Sequence, residues 1–211
     1  MSLAFLEVDR AAGSAAVSPI AATARSAQAT VATRDGWQVI TSLGDPAAEA
    51  HARTDAVAVA DVSHLRKVEL QGDLQHELGT ATRRAGGWWC PMTPTRALVL
   101  DAEPDATGDV AALDVTGAFG ALVIAGPLAR ETFARFCALD LRESKLPVGG
   151  FRPGSVARTP GFVLREADER FLMLFGAAFG TYVWEVVTDT ATRLGGRAVG
   201  LDAIEEGRAD A

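Results

Sequence analysis

The sequence predicts an α+β fold in which two related β-α units pair as ferredoxin-like halves. Residues 68–74 and residues 123–128 both run from strand-like residues through a glycine to a leucine two positions later. The glycine allows a tight turn from strand to helix, and the leucine docks the helix on the sheet. The other apolar runs are short and separated by turn residues, which is typical of antiparallel strands.

Turn residues place the elements of the first half of the chain. Asp35-Gly36 separates two β-prone runs and predicts a hairpin. Asp45 and Pro46 predict a helix start, because Asp45 can accept hydrogen bonds from free amides and Pro46 suits the first helical position. A second helix is predicted to carry Leu74 and Leu78. The predicted strands are residues 29–32, 37–41, 56–60 and 67–70.

The second half of the chain continues the same alternation. A helix carrying Phe133 and Phe136 is predicted after the second glycine turn, and the longest helix is predicted over residues 182–194, with Gly195 as its stop. A hairpin is predicted around the polar loop 165–170. The predicted strands are residues 97–100, 110–115, 121–124, 162–164 and 171–175.

The domain organisation is predicted to be simple. We expect one folded domain over residues 18–211 and a flexible arm over residues 1–17. Alanine and serine are frequent from residue 11 to residue 29, which is typical of a segment without packed structure. Residues 101–108 are polar and short, so they predict a loop rather than a linker between domains.

Composition excludes several classes of partner. The chain has 211 residues, a net charge of −7 and a pI of about 5.0, which argues against binding nucleic acid or an anionic membrane. No segment has the ~20 apolar residues of a membrane helix. Cys90 and Cys137 lack zinc-type or redox-type spacing, so we predict two reduced thiols in a cytoplasmic protein.

The segment 61–65 (Asp-Val-Ser-His-Leu) ends a buried strand with polar side chains, which are costly there unless they are hydrogen-bonded or used. Ser63 and His64 are adjacent and would point to opposite faces of a strand, which argues against a nucleophile–base pair. The three histidines lack a third-ligand spacing, so no metal site is predicted. We expect Asp61, Ser63 and His64 to tie the strand end into its turn, and Leu65 to face a ligand.

The pair Trp88-Trp89 is the other unusual feature. On a strand, one ring would face the core and the other would face outward as a ligand platform or protein interface. Packing of both rings in the core is the alternative.

Several segments resemble the N-terminal part of the folate-dependent aminomethyltransferases, the group that includes the glycine cleavage T-protein. Their order and spacing carry the resemblance. The segments are Gly36-Trp37, His51-Ala52-Arg53, Asp61-Val62-Ser63-His64-Leu65 and Lys67-Val68-Glu69-Leu70-Gln71-Gly72, followed by Ala125-Gly126-Pro127-Leu128-Ala129-Arg130 and Val199-Gly200-Leu201-Asp202-Ala203. Within the same superfamily, residues 137–141 and 146–149 are similar to the gamma subunit of heterotetrameric sarcosine oxidase, and the chain length suits that subunit.

The resemblance implies the aminomethyltransferase folate-binding domain without its C-terminal barrel, and tetrahydrofolate as the cofactor. It implies that Leu65 lines the pterin pocket. With it, the folate-pocket candidates are Trp88, Trp89, Arg96 and Glu166. The family's catalytic Asp-Asp-Leu has no counterpart, since residues 79–97 contain no acid, and Glu166 is the nearest substitute for the glutamate that grips the pterin. The catalytic residues are therefore unknown.

Three functions stay open at this point. The first is a noncatalytic subunit of a sarcosine-oxidase-like flavoenzyme, bound to larger subunits that carry the flavin, or self-associating. The second is a stand-alone folate-binding or small-molecule-binding protein. The third is a residual one-carbon transferase that uses Asp61 or Asp114.

Overall fold

Residues 15–104 and 108–205 are described by a computed structural model. The strands in chain order are β1 (Ala16–Val17), β2 (Thr30–Arg34), β3 (Trp37–Ser42), β4 (Ala58–Asp61), β5 (Lys67–Gln71), β6 (Thr82–Arg84), β7 (Gly87–Thr93), β8 (Arg96–Leu100), β9 (Ala111–Asp114), β10 (Phe119–Ala125), β11 (Phe151–Val156), β12 (Thr159–Ala167), β13 (Arg170–Gly176) and β14 (Arg197–Ala198). The helices are α1 (Ala21–Ala24), α2 (Pro46–Asp55), α3 (Ala129–Ala134), α4 (Gly180–Arg193) and α5 (Leu201–Glu205).

The strands form three sheets. Their orders are β1-β3-β2, β11-β12-β13-β10-β4-β14 and β6-β7-β8-β5-β9. Pairing is antiparallel except for β1 with β3 and β14 with β4. The predicted α+β class is therefore confirmed, and no closed barrel occurs within residues 15–104 and 108–205.

The six-stranded sheet separates two core layers, and β10 shows why. Leu122 and Ile124 face the layer that contains α3 and α4, whereas Ala121, Val123 and Ala125 face the layer shared with the five-stranded sheet and α5. A strand alternates its side chains between faces, so an unbroken apolar run is the expected sequence for a strand buried on both sides.

The layer between the two large sheets is where the candidate site lies. Its members from the five-stranded sheet and α5 are Trp88, Cys90, Leu98, Leu100, Leu201, Ala203 and Ile204. The layer brings together side chains that are far apart in sequence.

Several local predictions are confirmed. The hairpin of β2 and β3 turns at Asp35 and Gly36, whose positive φ values of 49° and 80° suit this turn. Asp45 caps α2 by accepting a 3.0 Å hydrogen bond from the Ala48 amide. Helix α4 ends one residue before the predicted boundary and is followed by Gly195 at φ 82°. The late hairpin also forms, although its loop is shorter than predicted because β12 and β13 leave only residues 168–169 between them.

The predicted helix through Leu74 and Leu78 is wrong. Residues 73–77 have no regular structure, and Leu78 is 54% exposed. The Gln75 side chain donates to the Asp73 carboxylate, and Gln75 has a φ of 45°, so local side-chain bonding replaces the helix. Only the second β-α unit has its helix, α3, and the ferredoxin-like pairing is not confirmed.

The prediction that residues 11–29 lack packed structure is wrong for the described residues. β1 pairs in parallel with β3, and the Ile20 side chain is fully buried in the layer that contains α4. Most of the predicted flexible arm, residues 1–14, lies outside the described residues.

A buried carboxylate that the sequence did not predict joins α2 to the C-terminal segment. Glu49 is 1% exposed. Its Oε1 accepts hydrogen bonds of 2.8 Å from both Ser42 Oγ and the Leu43 amide, and its Oε2 accepts one of 2.7 Å from the Gly200 amide. A buried carboxylate with this many donors is satisfied, and it fixes Gly200 against α2.

We therefore expect Glu49→Gln to destabilise the fold. The amide has one acceptor oxygen in place of two, so a buried amide N–H loses its partner, at a cost of about 2–3 kcal/mol. Urea unfolding at pH 7 measures the change. Glu185→Gln, at an exposed position on α4, is the control and should shift stability by less than about 0.5 kcal/mol. Equal stability of the two variants would contradict the role of Glu49.

Candidate functional site

The turn after β4 is held against β10 by the backbone and by two of the polar side chains of segment 61–65. Asp61 Oδ1 accepts a 2.9 Å hydrogen bond from the Ser63 amide. Ser63 Oγ accepts a 3.0 Å hydrogen bond from the Ala121 amide, and the Val62 amide donates to the Ala121 carbonyl at 2.9 Å. The side chains of Asp61 and Ser63 thus stabilise the turn at the end of β4.

Lys67 completes this turn from within the core. Its side chain is fully buried, and Nζ donates 2.8 Å hydrogen bonds to the carbonyls of Ser63 and Leu65. Burial lowers the pKa of Lys67 to about 8, although the nearby carboxylates of Asp61 and Asp114 oppose this shift. The ammonium therefore fixes the backbone that presents His64 and Leu65.

His64 differs from its two polar neighbours. No hydrogen bond to its imidazole occurs within residues 15–104 and 108–205, and the ring is half-buried. Burial lowers the pKa of His64, which favours the neutral ring at pH 7. The ring lines an inner cavity instead of tying the turn.

The inner cavity brings together three of the five predicted pocket residues. Leu65, Trp88 and Glu166 line it with His64, and its apolar wall includes Leu172. Its volume is about 40 Å³. That volume holds a few water molecules at most, whereas small-molecule sites start at roughly 300 Å³.

Trp88 is a buried residue in the wall of this cavity. Its ring is 7% exposed, and its Nε1 donates a 3.0 Å hydrogen bond to Glu166 Oε1. Glu166 Oε2 accepts a 3.0 Å hydrogen bond from Arg170 Nε. Arg170 in turn donates to the Ile204 carbonyl at 3.2 Å. Both oxygens of the Glu166 carboxylate already have partners from this chain.

The other two predicted pocket residues lie elsewhere. Trp89 is on the opposite face of β7, packed against the small core cluster that includes Val68, with the Arg84 guanidinium 4.7 Å from its ring centre. Arg96 lies at the far end of β8 and makes two 2.8 Å hydrogen bonds to the carboxylate of Glu69. Neither residue lines the inner cavity.

A larger outer cleft opens beside the inner cavity, and the sequence did not predict it. The cleft has a volume of about 740 Å³, and its charged lining residues are Arg53, Arg83, Glu166, Glu169 and Arg170. The signal in the sequence was partial, since Arg53 belongs to a segment used for the family resemblance and Arg83 precedes the tryptophan pair. Neither feature indicates that the two arginines share a cleft.

The described residues form neither a metal-ligand cluster nor a disulfide. No three side chains of His, Cys, Asp or Glu come together there as metal ligands. Cys90 and Cys137 are free thiols. None of the described helices combines the length and hydropathy needed to cross a bilayer.

Comparison with solved structures identifies the fold. No family model and no curated protein matches the sequence. A structure of heterotetrameric sarcosine oxidase from Corynebacterium sp. U-96 matches with a TM-score of 0.61 at 16% identity, over 72% of this chain and 93% of that chain. A structure of glycine cleavage system aminomethyltransferase T from Bartonella henselae matches with a TM-score of 0.69 at 14% identity, over 89% of this chain and 60% of that chain.

This chain shares its fold with both. The resemblance predicted from the motifs is therefore confirmed at the level of the fold. The chain spans only 60% of the aminomethyltransferase that it matches.

We expect the stability that depends on Lys67 to rise with pH above neutrality. An unfolded lysine keeps its proton up to about pH 10.5, while buried Lys67 loses it near a pKa of about 8. Between these values the unfolded state binds more protons, so the free energy of unfolding increases with pH. Urea unfolding of wild type and Lys67→Met at pH 8 and pH 10 should show wild type gaining about 2 kcal/mol relative to the variant.

The exposed Lys145 supplies the control for this experiment. The difference between wild type and Lys145→Met should stay constant between the two pH values. A constant difference for Lys67→Met as well would show that the Lys67 pKa is ordinary.

Proposed function

We propose that this chain is a noncatalytic subunit of a sarcosine-oxidase-like flavoenzyme linked to one-carbon metabolism, and that the flavin lies in a larger partner subunit. The observation that carries the proposal is the inner cavity, whose volume of about 40 Å³ is too small for a pterin and whose wall includes the buried Trp88. In this proposal the chain keeps the folate-domain fold as a structural unit and binds no pterin in its interior. Such an assembly would work in the cytoplasm, where Cys90 and Cys137 stay reduced.

The charged groups near the cavity also support a noncatalytic role. One-carbon transfer needs a carboxylate free to orient or deprotonate the reacting amine. Glu166 is already bonded to Trp88 and Arg170. Asp61 and Asp114 accept hydrogen bonds from the Ser63 and Thr116 amides, and neither lines the inner cavity. A residual transferase that uses Asp61, Asp114 or Glu166 therefore has no support from this geometry.

Exposed apolar side chains supply a surface for a partner. Phe179 and Tyr182, three residues apart at the start of α4, are 44% and 43% exposed. Val17 is 54% exposed, and the chain just after it runs close to α4, since a Cβ at Gly180 would lie 2.7 Å from the Pro19 carbonyl oxygen. Exposed apolar groups of this kind favour burial against another chain.

The second candidate is a stand-alone small-molecule-binding protein, with folate as one ligand. The outer cleft of about 740 Å³ favours it, because that volume is in the range of ligand-binding pockets. In this case the ligand would lie against Arg53 and Arg83, outside the inner cavity. The two candidates differ in what the isolated chain binds.

Co-expression and calorimetry separate the two candidates. We expect the chain to co-elute with the products of its adjacent genes in size exclusion, and the isolated chain to give no heat up to about 1 mM with 6-methyltetrahydropterin, a pterin without the two glutamate carboxylates of a folate. Phe179→Asp combined with Tyr182→Asp should abolish co-elution, because charges would be buried at the interface. Leu113→Asp, at a 59% exposed position on β9, is the control and should co-elute normally.

Two outcomes would count against this function. Pterin binding by the isolated chain with no complex would favour the stand-alone binder. A complex that forms although the isolated chain binds the pterin would keep the subunit role and contradict the absence of a pterin site.

A further inference from the structure

The outer cleft is lined by cations on a chain that is acidic overall. Arg53 from α2, Arg83 from β6 and Arg170 from β13 line it together with Glu166 and Glu169. The three arginines exceed the two glutamates by one positive charge, while the whole chain has a net charge of −7. The positive charge is therefore concentrated locally, which is how proteins attract small anions.

The three arginines differ in whether another residue of the described chain forms an ion pair with them. Arg170 is paired with Glu166 at 3.0 Å. Arg53 and Arg83 form no ion pair with any residue in the described ranges 15–104 and 108–205. Two guanidinium groups in one cleft thus have no anionic partner from the described chain.

Arg53 supplies a second observation that points to a missing partner. Its Nε atom is buried and has no hydrogen-bond partner among the described residues. Buried donors in native proteins are nearly always bonded, so an unpartnered one needs an explanation. That atom is enclosed by protein, so an anion in the cleft would bind the terminal nitrogens of the same guanidinium, which donate to carboxylates and phosphates.

Arg83 is held in place by contacts other than an ion pair. Its guanidinium lies 4.8 Å from the centre of the Trp88 ring, and one terminal nitrogen donates to the Gly86 carbonyl at 3.4 Å. The ring contact leaves the other N–H groups free to bind an anion. Trp88 is anchored by Glu166, so this wall of the cleft is positioned before any ligand arrives.

We propose that the outer cleft binds a small dianion, either a dicarboxylate or a phosphate group, between Arg53 and Arg83. The two unpaired guanidiniums match two negative charges, and the volume of about 740 Å³ leaves room for the rest of a larger ligand. The site is independent of the proposed subunit role, which requires no anion at this position.

Calorimetry of the full chain with succinate and, separately, with inorganic phosphate at low ionic strength tests the site. We expect at least one of them to bind with a Kd below about 1 mM and to bind more weakly at 150 mM salt, where screening is stronger. A dicarboxylate site would favour succinate, and a phosphate site would favour inorganic phosphate. Either preference supports the proposal.

Variants assign the binding to the cleft. Arg83→Gln, at an exposed position, should weaken binding about tenfold through loss of a charge-assisted contact. Arg53→Gln should do the same. Arg130→Gln is the matched control, because Arg130 is exposed on α3 and does not line the cleft, and it should leave the Kd unchanged. Circular dichroism of each variant checks that it is folded.

The proposal is overturned if neither anion gives heat with wild type up to about 10 mM. It is also overturned if Arg83→Gln and Arg130→Gln bind the anion as tightly as wild type, since binding would then be nonspecific. Either failure leaves the subunit role untouched, because that role is tested by co-elution and by titration with a pterin that carries no carboxylate.

Discussion

The buried ammonium of Lys67 is the constraint on which the site depends. A buried charge is costly unless it is hydrogen-bonded, and Lys67 meets this demand with the carbonyls of Ser63 and Leu65. Those carbonyls belong to the turn between β4, in the six-stranded sheet, and β5, in the five-stranded sheet. The ammonium therefore fixes the junction of the two large sheets and the direction in which His64 and Leu65 point.

The inner cavity follows from this junction. Leu65 is held at one side of it, and Trp88 reaches it from β7 and is anchored by Glu166. Arg170 donates hydrogen bonds to the same carboxylate and to the Ile204 carbonyl of α5. A continuous series of hydrogen bonds therefore connects Trp88 to α5. The interior of this fold, which is shared with an aminomethyltransferase, thus has a cavity of only about 40 Å³, and the charged outer cleft lies beside it.

Local chemistry made part of the fold predictable. Asp35-Gly36 and Asp45-Pro46 act within a few residues, so their hairpin and helix start could be predicted correctly. The spacing of Leu74 and Leu78 predicted a helix that does not form. A hydrogen bond between the side chains of Gln75 and Asp73 is present there instead.

The site was harder to predict, because its geometry is tertiary. The predicted pocket residues included Leu65, Trp88 and Glu166, but they also included Trp89, which strand alternation turns away from the cavity. Arg53 and Arg83 line the same cleft because α2 and β6 both border it. No pattern in the sequence predicts that these two elements lie side by side.

A crystal structure grown with saturating 5-formyltetrahydrofolate tests most directly whether the protein fills its own interior. A filled interior predicts Trp88 Nε1 at hydrogen-bond distance from Glu166, as it is here, and no pterin between Leu65 and Leu172. A Trp88 ring swung out of the core, with a pterin in its place and its nitrogens bonded to Glu166, would contradict it.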